Sequence, residues 1–295
     1  MISQKTLELE KILKETFVPI LDWKNTDWDM ARKEFEIPLA DLPLPEGVTV
    51  SRDTLGGIEV EWVKIPNDSG KVLFHIHGGG MTLGSCSSGR FMLSHIGVLS
   101  GRNTVSVNYR LCPEYAQPAA VEDCAAAYQG LLKEYAPENI ALIGESAGGM
   151  LVLALLAYIK AHDLPMPACA CVISGSADPE YNSASMTENR ESEYMVCLNL
   201  KEVMSEYYFK DGDLSDPILN PMHSDVSGWP PVYFHACREE ILRDESVRMY
   251  EKLLGAGIPA KLTIKDGLFH TYMMFDLPES YEAFQEFADF LKENG

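Results

Sequence analysis

The residues best suited to chemistry lie in Gly144-Glu145-Ser146-Ala147-Gly148-Gly149, a G-x-S-x-G pentapeptide between the apolar run Ile140 to Ile143 and a long apolar stretch. A serine at a sharp strand-to-helix turn holds its hydroxyl above a sheet, and the residues two before and two after it must be small so that strand and helix can approach. Gly144 and Gly148 meet that need. The turn also aims the first amides of the helix at negative charge developing beside the hydroxyl. Ser146 is therefore the candidate nucleophile of an acyl-transfer reaction.

Acyl transfer passes through a tetrahedral oxyanion that needs two or three amide N–H groups converging on one point. Upstream, Phe74-His75-Ile76-His77-Gly78-Gly79-Gly80-Met81 ends an apolar run in three consecutive glycines, whose bare backbone can approach such a point. In isolation a flexible turn would be the preferred explanation of the glycines, but their place directly after a strand and ahead of Ser146 reverses that preference in favour of donors. The candidate oxyanion hole is Gly78, Gly79, Gly80 and Ala147, with Gly79, Gly80 and Ala147 donating and Gly78 shaping the turn. His77 is expected to anchor this loop, and His75, inside the strand, to be a hydrogen-bonded structural residue.

In sites of this kind the partners follow in the order nucleophile, acid, base, on loops after later strands. Beyond the run Ala260 to Ile264 comes Lys265-Asp266-Gly267-Leu268-Phe269-His270, which makes His270 the candidate base. Beyond Val232 to His235 lie four carboxylates: Glu239, Glu240, Asp244 and Glu245. Asp244 and Glu245 suit the start of the next helix, where carboxylates meet unpaired amides, so the acid is Glu239 or Glu240. His95, His162 and His223 have neither triad nor metal-binding spacing.

These groups need a scaffold. Short β-branched runs at Val48 to Thr54, Ile58 to Ile65, Val72 to His75, Thr104 to Tyr109, Ile140 to Ile143, Cys169 to Ser174, Val232 to His235 and Ala260 to Ile264 predict eight strands. Helical spacing at Ala119 to Tyr135, Ala147 to Ala161, Asp244 to Leu254 and Tyr281 to Leu291 alternates with them, which predicts a mostly parallel sheet covered on both faces. Leu55-Gly56-Gly57 should join the first two strands as an antiparallel hairpin. Two segments break the rhythm. Residues 1–45 carry Leu9, Ile12, Leu13 and Phe17 on one helical stripe, then Asp22-Trp23 and a proline-bearing connection through Pro38, Pro43 and Pro45. Residues 176–221 turn aromatic and Met-rich through Tyr194, Met195, Met204, Tyr207, Tyr208 and Phe209. Together they are expected to form a helical cap over residues 46–175 and 222–295, its aromatic residues either packing on the core or lining a pocket.

A chain of 295 residues, 46% hydrophobic, can bury a large core. A formal net charge of -20 makes nucleic acid and anionic membranes poor partners. The start, Met1-Ile2-Ser3-Gln4-Lys5, lacks a cationic segment followed by an apolar core, and no apolar run approaches the roughly 18–20 residues of a membrane span. A soluble, cytoplasmic protein is expected. Seven scattered cysteines without CxxC or zinc spacing read as reduced thiols.

The set His77-Gly78-Gly79-Gly80, Gly144 to Gly149 and the late His270 resembles the hormone-sensitive-lipase-like, or bacterial group IV, esterases. Asn108-Tyr109-Arg110-Leu111-Cys112-Pro113-Glu114 and Pro118-Ala119-Ala120-Val121-Glu122-Asp123 are similar to that family's YRLxPE and PAAxxD signatures. The resemblance implies an α/β-hydrolase fold: an α/β architecture with an eight-stranded, mostly parallel sheet flanked by helices and a helical cap. It also selects the acid, because the first position of the family's D-x-L-x-D-E stretch falls on Glu240. The family usually has Asp there, so a longer side chain must do the same work. The implied activity is hydrolysis of small, fairly hydrophobic carboxylic esters with short to medium acyl chains, by Ser146, His270 and Glu240 and without metal or organic cofactor. Lactones, amides or arylformamides would pass through the same oxyanion, and a ligand-binding receptor could retain the pocket. A homodimer is a further possibility for such folds.

Overall fold

The computed structural model describes residues 2–17, 23–210 and 212–295; Met1 and Asp22, which belong to the first of the two unusual segments, lie outside them. The eight expected strands are all present: β1 Thr49–Leu55, β2 Ile58–Lys64, β3 Val72–Ile76, β4 Asn103–Val107, β5 Ile140–Glu145, β6 Cys169–Ile173, β7 Val232–Cys237 and β8 Ala260–Lys265. They form one sheet in the order β1-β2-β4-β3-β5-β6-β7-β8. β1 and β2 pair antiparallel around the Gly56-Gly57 turn, and β2 runs antiparallel to β4. From β4 to β8 every pairing is parallel.

Helices cover both faces, as strands such as β3, β5 and β6, buried along their whole length, require. One face carries α4 (Ala119–Leu131), α5 (Ala147–Ala161) and α8 (Arg243–Gly255); the other carries α3 (Arg90–Ser100) and α9 (Pro278–Asn294). α5 is apolar all round because it is enclosed between sheet and α4, and Leu151, Leu153, Leu155 and Leu156 have no exposed surface. Truncating one of these leucines to alanine would cost about 2–5 kcal/mol. α3 is a helix the apolar periodicity did not predict. Its Gly97 lies so close to the β4 approach that an added Cβ would stand 2.9 Å from the Arg102 carbonyl.

Ahead of the sheet stand α1 (Gln4–Thr16) and α2 (Trp28–Ala40). Ser3 caps α1, and Ser3 and Thr6 both donate to Glu279 of α9, tying the N-terminal helix to the body. Pro38 was expected in a connection but belongs to the last turn of α2. There a proline forfeits a single helical hydrogen bond, and Arg32 offsets the loss by anchoring the helix to the Thr82 and Cys112 carbonyls (2.9 Å each) and to Glu114.

Between β6 and β7, the described residues of 176–221 add no strand. They hold two single turns, α6 (Ser185–Glu188) and α7 (Leu200–Val203), the latter continuing into a π-helical turn at Met204–Phe209. All seven cysteines are free, and all but Cys197 are buried. Among the described residues, no helix is long and apolar enough to cross a membrane.

Candidate active site

β5 ends at Glu145 and α5 begins at Ala147, so Ser146 occupies the turn between them with φ 54° and ψ -122°. That strained backbone is sustained because strand and helix are both buried and fixed. The small residues are a packing necessity. A Cβ on Gly144 would stand 2.5 Å from the Gly148 carbonyl oxygen, and one on Gly148 would stand 2.0 Å from that of Ile76.

Parallel register places the ends of β5, β7 and β8 at one edge of the sheet, and the loops that follow converge there. His270 Nε2 lies 2.9 Å from Ser146 Oγ, and its Nδ1 lies 2.7 Å from Glu240 Oε2. The other carboxylate oxygen of Glu240 accepts from the Cys237 amide at 2.8 Å. Both His270 and Glu240 are buried. Burial disfavours the imidazolium, yet the hydrogen bond and charge of Glu240 outweigh it, so the His270 pKa is raised from its ordinary value. A carboxylate on Nδ1 also fixes the tautomer that leaves Nε2 free to accept a proton.

The other acidic candidates go elsewhere. Glu239 is turned outward and accepts from the Gly267 amide on the His270 loop. Asp244 and Glu245 occupy the first turn of α8, as expected, but their carboxylates serve the segment after β6: Asp244 accepts from the Ser185 amide and Glu245 from the Asp178 amide.

The glycine loop passes directly over the nucleophile, since a Cβ on Gly78 would stand 3.2 Å from Ser146 Cβ. Gly79 and Gly80 have φ of 105° and 61°, conformations that suit glycine. Among the described residues their amides take no hydrogen-bond partner, and the Ala147 amide, first in α5, has none within the helix. These three N–H groups are available to an oxyanion. Gly78 must be removed from the oxyanion set, because its amide donates to Glu145 Oε1 at 2.7 Å.

That bond reveals a residue the pentapeptide concealed. Glu145 is buried, and its second oxygen lies 2.7 Å from His75 Nε2, while His75 Nδ1 lies 2.7 Å from Ser106 Oγ. Burial alone would raise the Glu145 pKa, but the charge and hydrogen bond of His75 and the Gly78 amide lower it on balance. The ionised carboxylate thus holds the glycine loop from below. A faint signal existed: two polar residues at the ends of neighbouring apolar strands, although 70 residues separate them. His77 is buried, stacks on Tyr109 with ring centroids 4.2 Å apart and reaches the Gly78 carbonyl through Nδ1. Burial lowers its pKa to about 4, so it stays neutral.

Above Ser146 opens a cavity of about 430 Å³. Trp23, Phe35 and Leu39 line it from the N-terminal segment, and Met195, Leu200 and Met204 from residues 176–221. Both expected fates of the aromatic and Met-rich stretch therefore occur, because Tyr208 and Phe209 pack into the core instead.

A family model described as alpha/beta hydrolase fold matches residues 73–274. An acetyl-hydrolase of Streptomyces hygroscopicus is 33% identical over 268 residues, covering 90% of this chain and 87% of that protein. An esterase/lipase from an uncultured bacterium superposes with a TM-score of 0.90 at 32% identity, over 99% of this chain and 98% of the other. An esterase from the bacterial hormone-sensitive lipase family gives a TM-score of 0.92 at 30% identity, over 100% and 99%.

Proposed function

The chain belongs to the alpha/beta hydrolase fold family, among its hormone-sensitive-lipase-like esterases, and from that premise we propose that it hydrolyses small, uncharged carboxylic esters through an acyl-enzyme on Ser146. It is a carboxylic ester hydrolase. The observation that carries the residue assignment is the continuous chain Ser146 Oγ, His270, Glu240, with steps of 2.9 and 2.7 Å, at the floor of an apolar cavity.

In this reading Ser146 Oγ attacks the ester carbonyl as its proton passes to His270 Nε2. The negative charge moves to the carbonyl oxygen, where the amides of Gly79, Gly80 and Ala147 receive it. His270 then hands the proton to the departing alcohol, the C–O bond breaks, and the acyl group stays on Ser146. Water repeats the sequence with His270 again as base, releasing the acid and restoring the serine. Glu240, held on His270 Nδ1, stabilises the imidazolium that forms twice per turnover.

The described parts of residues 1–45 and 176–221 act as a cap that closes the cavity from above. At about 430 Å³ the cavity sits toward the small end of the roughly 300–1,000 Å³ usual for small-molecule sites, which favours short acyl chains. The acetyl-hydrolase relative points the same way. We place the protein in the cytoplasm, as a homodimer formed through the edge of β8, which among the described residues pairs with β7 alone; sedimentation as a monomer at assay concentration would overturn the dimer. Substituting Ser146→Ala should lower p-nitrophenyl butyrate turnover by several orders of magnitude without lowering the melting temperature. A near-wild-type rate would refute the nucleophile.

A further inference from the structure

We propose that Asn189, with Ser192 and Ser185 beside it, is a positioning residue for the triad acid: the cap insertion grips the backbone of residues 238–241 so that the Glu240 carboxylate meets His270. The inference rests on the reading of Glu240 as the acid.

The acid loop between β7 and α8 has no regular structure to satisfy its carbonyls, and a buried or half-buried carbonyl needs a donor. Here side chains of one short segment of the cap supply them in succession. Asn189 Nδ2 donates to both the Arg238 and the Glu240 carbonyls, at 2.7 Å each, so its two protons bridge the loop. Ser192 Oγ donates to the Glu239 carbonyl at 2.8 Å and Ser185 Oγ to that of Ile241 at 2.6 Å. Four consecutive carbonyls are thus held from the cap; the Arg243 guanidinium also reaches the first of them, at 3.3 Å, and the Arg243 amide the third, that of Glu240, at 3.4 Å. The grip runs in the other direction as well, because Glu193 accepts from the Ile241 amide at 3.2 Å while its other oxygen takes the Met195 and Val196 amides. Met195 and Val196 line the substrate cavity.

The need for such a grip follows from the side chain at position 240. A glutamate has one more rotor than an aspartate and delivers its carboxylate one methylene further from the backbone. To bring Oε2 within 2.7 Å of His270 while Oε1 stays on the Cys237 amide, the main chain must sit at one distance from the histidine. The sheet fixes Cys237, the last residue of β7, but not Glu240. Asn189 fixes the Glu240 carbonyl directly. A further consequence is that the segment forming one wall of the cavity is the one that sets the acid, so the cap and the triad are coupled through main-chain hydrogen bonds.

The test is a double-mutant cycle on the full chain with Asn189→Ala and Glu240→Gln, measuring kcat and KM for p-nitrophenyl acetate per active site titrated by an organophosphate, with melting curves for all four proteins. Asn189→Ala alone should lower kcat about tenfold with KM within about twofold, the scale of a sub-ångström misplacement of a catalytic group. In the Glu240→Gln background the same substitution should change kcat by less than about twofold, because the misplaced group is already disabled. Ser192, exposed at the surface, offers Ser192→Ala as a second entry to the cycle should Asn189→Ala fold poorly, with a smaller loss of the same pattern. Equal losses in both backgrounds, or no loss from Asn189→Ala in the parent, would overturn the positioning role. A Glu240→Gln enzyme with the parent's kcat would instead remove the acid assignment beneath it.

Discussion

Substituting Gly148→Ala probes the packing that shapes the nucleophile turn. The added methyl would stand 2.0 Å from the Ile76 carbonyl oxygen and 2.7 Å from that of His77, whereas ordinary contact begins at 3.4 Å. The nearer distance falls short by about 1.4 Å, and both obstacles are backbone, so no flexible side chain can yield. Ile76 and His77 lead directly into Gly78, Gly79 and Gly80, and the other side of the contact is the first turn of α5. Relief must therefore separate the oxyanion amides from Ser146 by something near 1 Å, a displacement that costs on the order of a hundredfold in rate. Overpacking should add a stability loss of about 1–3 kcal/mol. Gly149→Ala is the internal comparison: its methyl would meet the Gly175 Cα at 2.9 Å, a shortfall of about 0.5 Å, and away from the glycine loop. Turnover of p-nitrophenyl butyrate per titrated site should fall about a hundredfold for Gly148→Ala and by tenfold or less for Gly149→Ala. Wild-type kcat in Gly148→Ala, or the reverse order of the two variants, would refute the reasoning.

Two pH-dependent outcomes follow from the buried groups. His270 acts as a base only when neutral, and although burial pulls its pKa down, Glu240 raises it above the ordinary 6.5 on balance; kcat/KM should therefore fall on acidification through a limb above 6.5. Glu240→Gln should move that limb to lower pH and lower kcat by up to about 10⁴-fold, and an unmoved limb would disconnect the two residues. Glu245 is fully buried, and burial raises its pKa despite the nearby charge of Arg248. A carboxyl whose folded pKa is raised favours the folded state at low pH and loses that contribution as pH rises through the folded value. Glu245→Gln should accordingly raise the melting temperature at pH 8, with the gain shrinking toward pH 4; a gain independent of pH would contradict it.

What could be read from the chain depended on how local each feature is. The nucleophile turn is six contiguous residues whose sizes are dictated by one strand–helix approach, so Gly144, Ser146 and Gly148 point to it directly. The strands are legible for a similar reason, because a parallel sheet buried on both faces demands uninterrupted β-branched runs. Choosing between Glu239 and Glu240 was different. The two are chemically identical neighbours, and only the path of the loop turns one toward Gly267 and the other toward His270; resemblance, not residue type, pointed to Glu240. The engagement of the Gly78 amide was hidden because its acceptor, Glu145, is 67 residues away. Pro38 is a poor boundary marker because the rule against proline in helices weakens in a last turn held by tertiary contacts. α3 is illegible in the sequence because its Gly97, ordinarily a helix weakener, is there to let the helix lie against the residues leading into β4.

The most direct measurement is to quench the enzyme with acid during turnover of p-nitrophenyl acetate and to locate the acyl group by peptide mass. One acetyl group should be found, on the peptide carrying Ser146, lost if the active enzyme is left at neutral pH after the substrate is exhausted and before quenching, and absent from Ser146→Ala. An acetyl group on another residue, or full turnover by an enzyme that never carries one, would contradict a mechanism built on that hydroxyl.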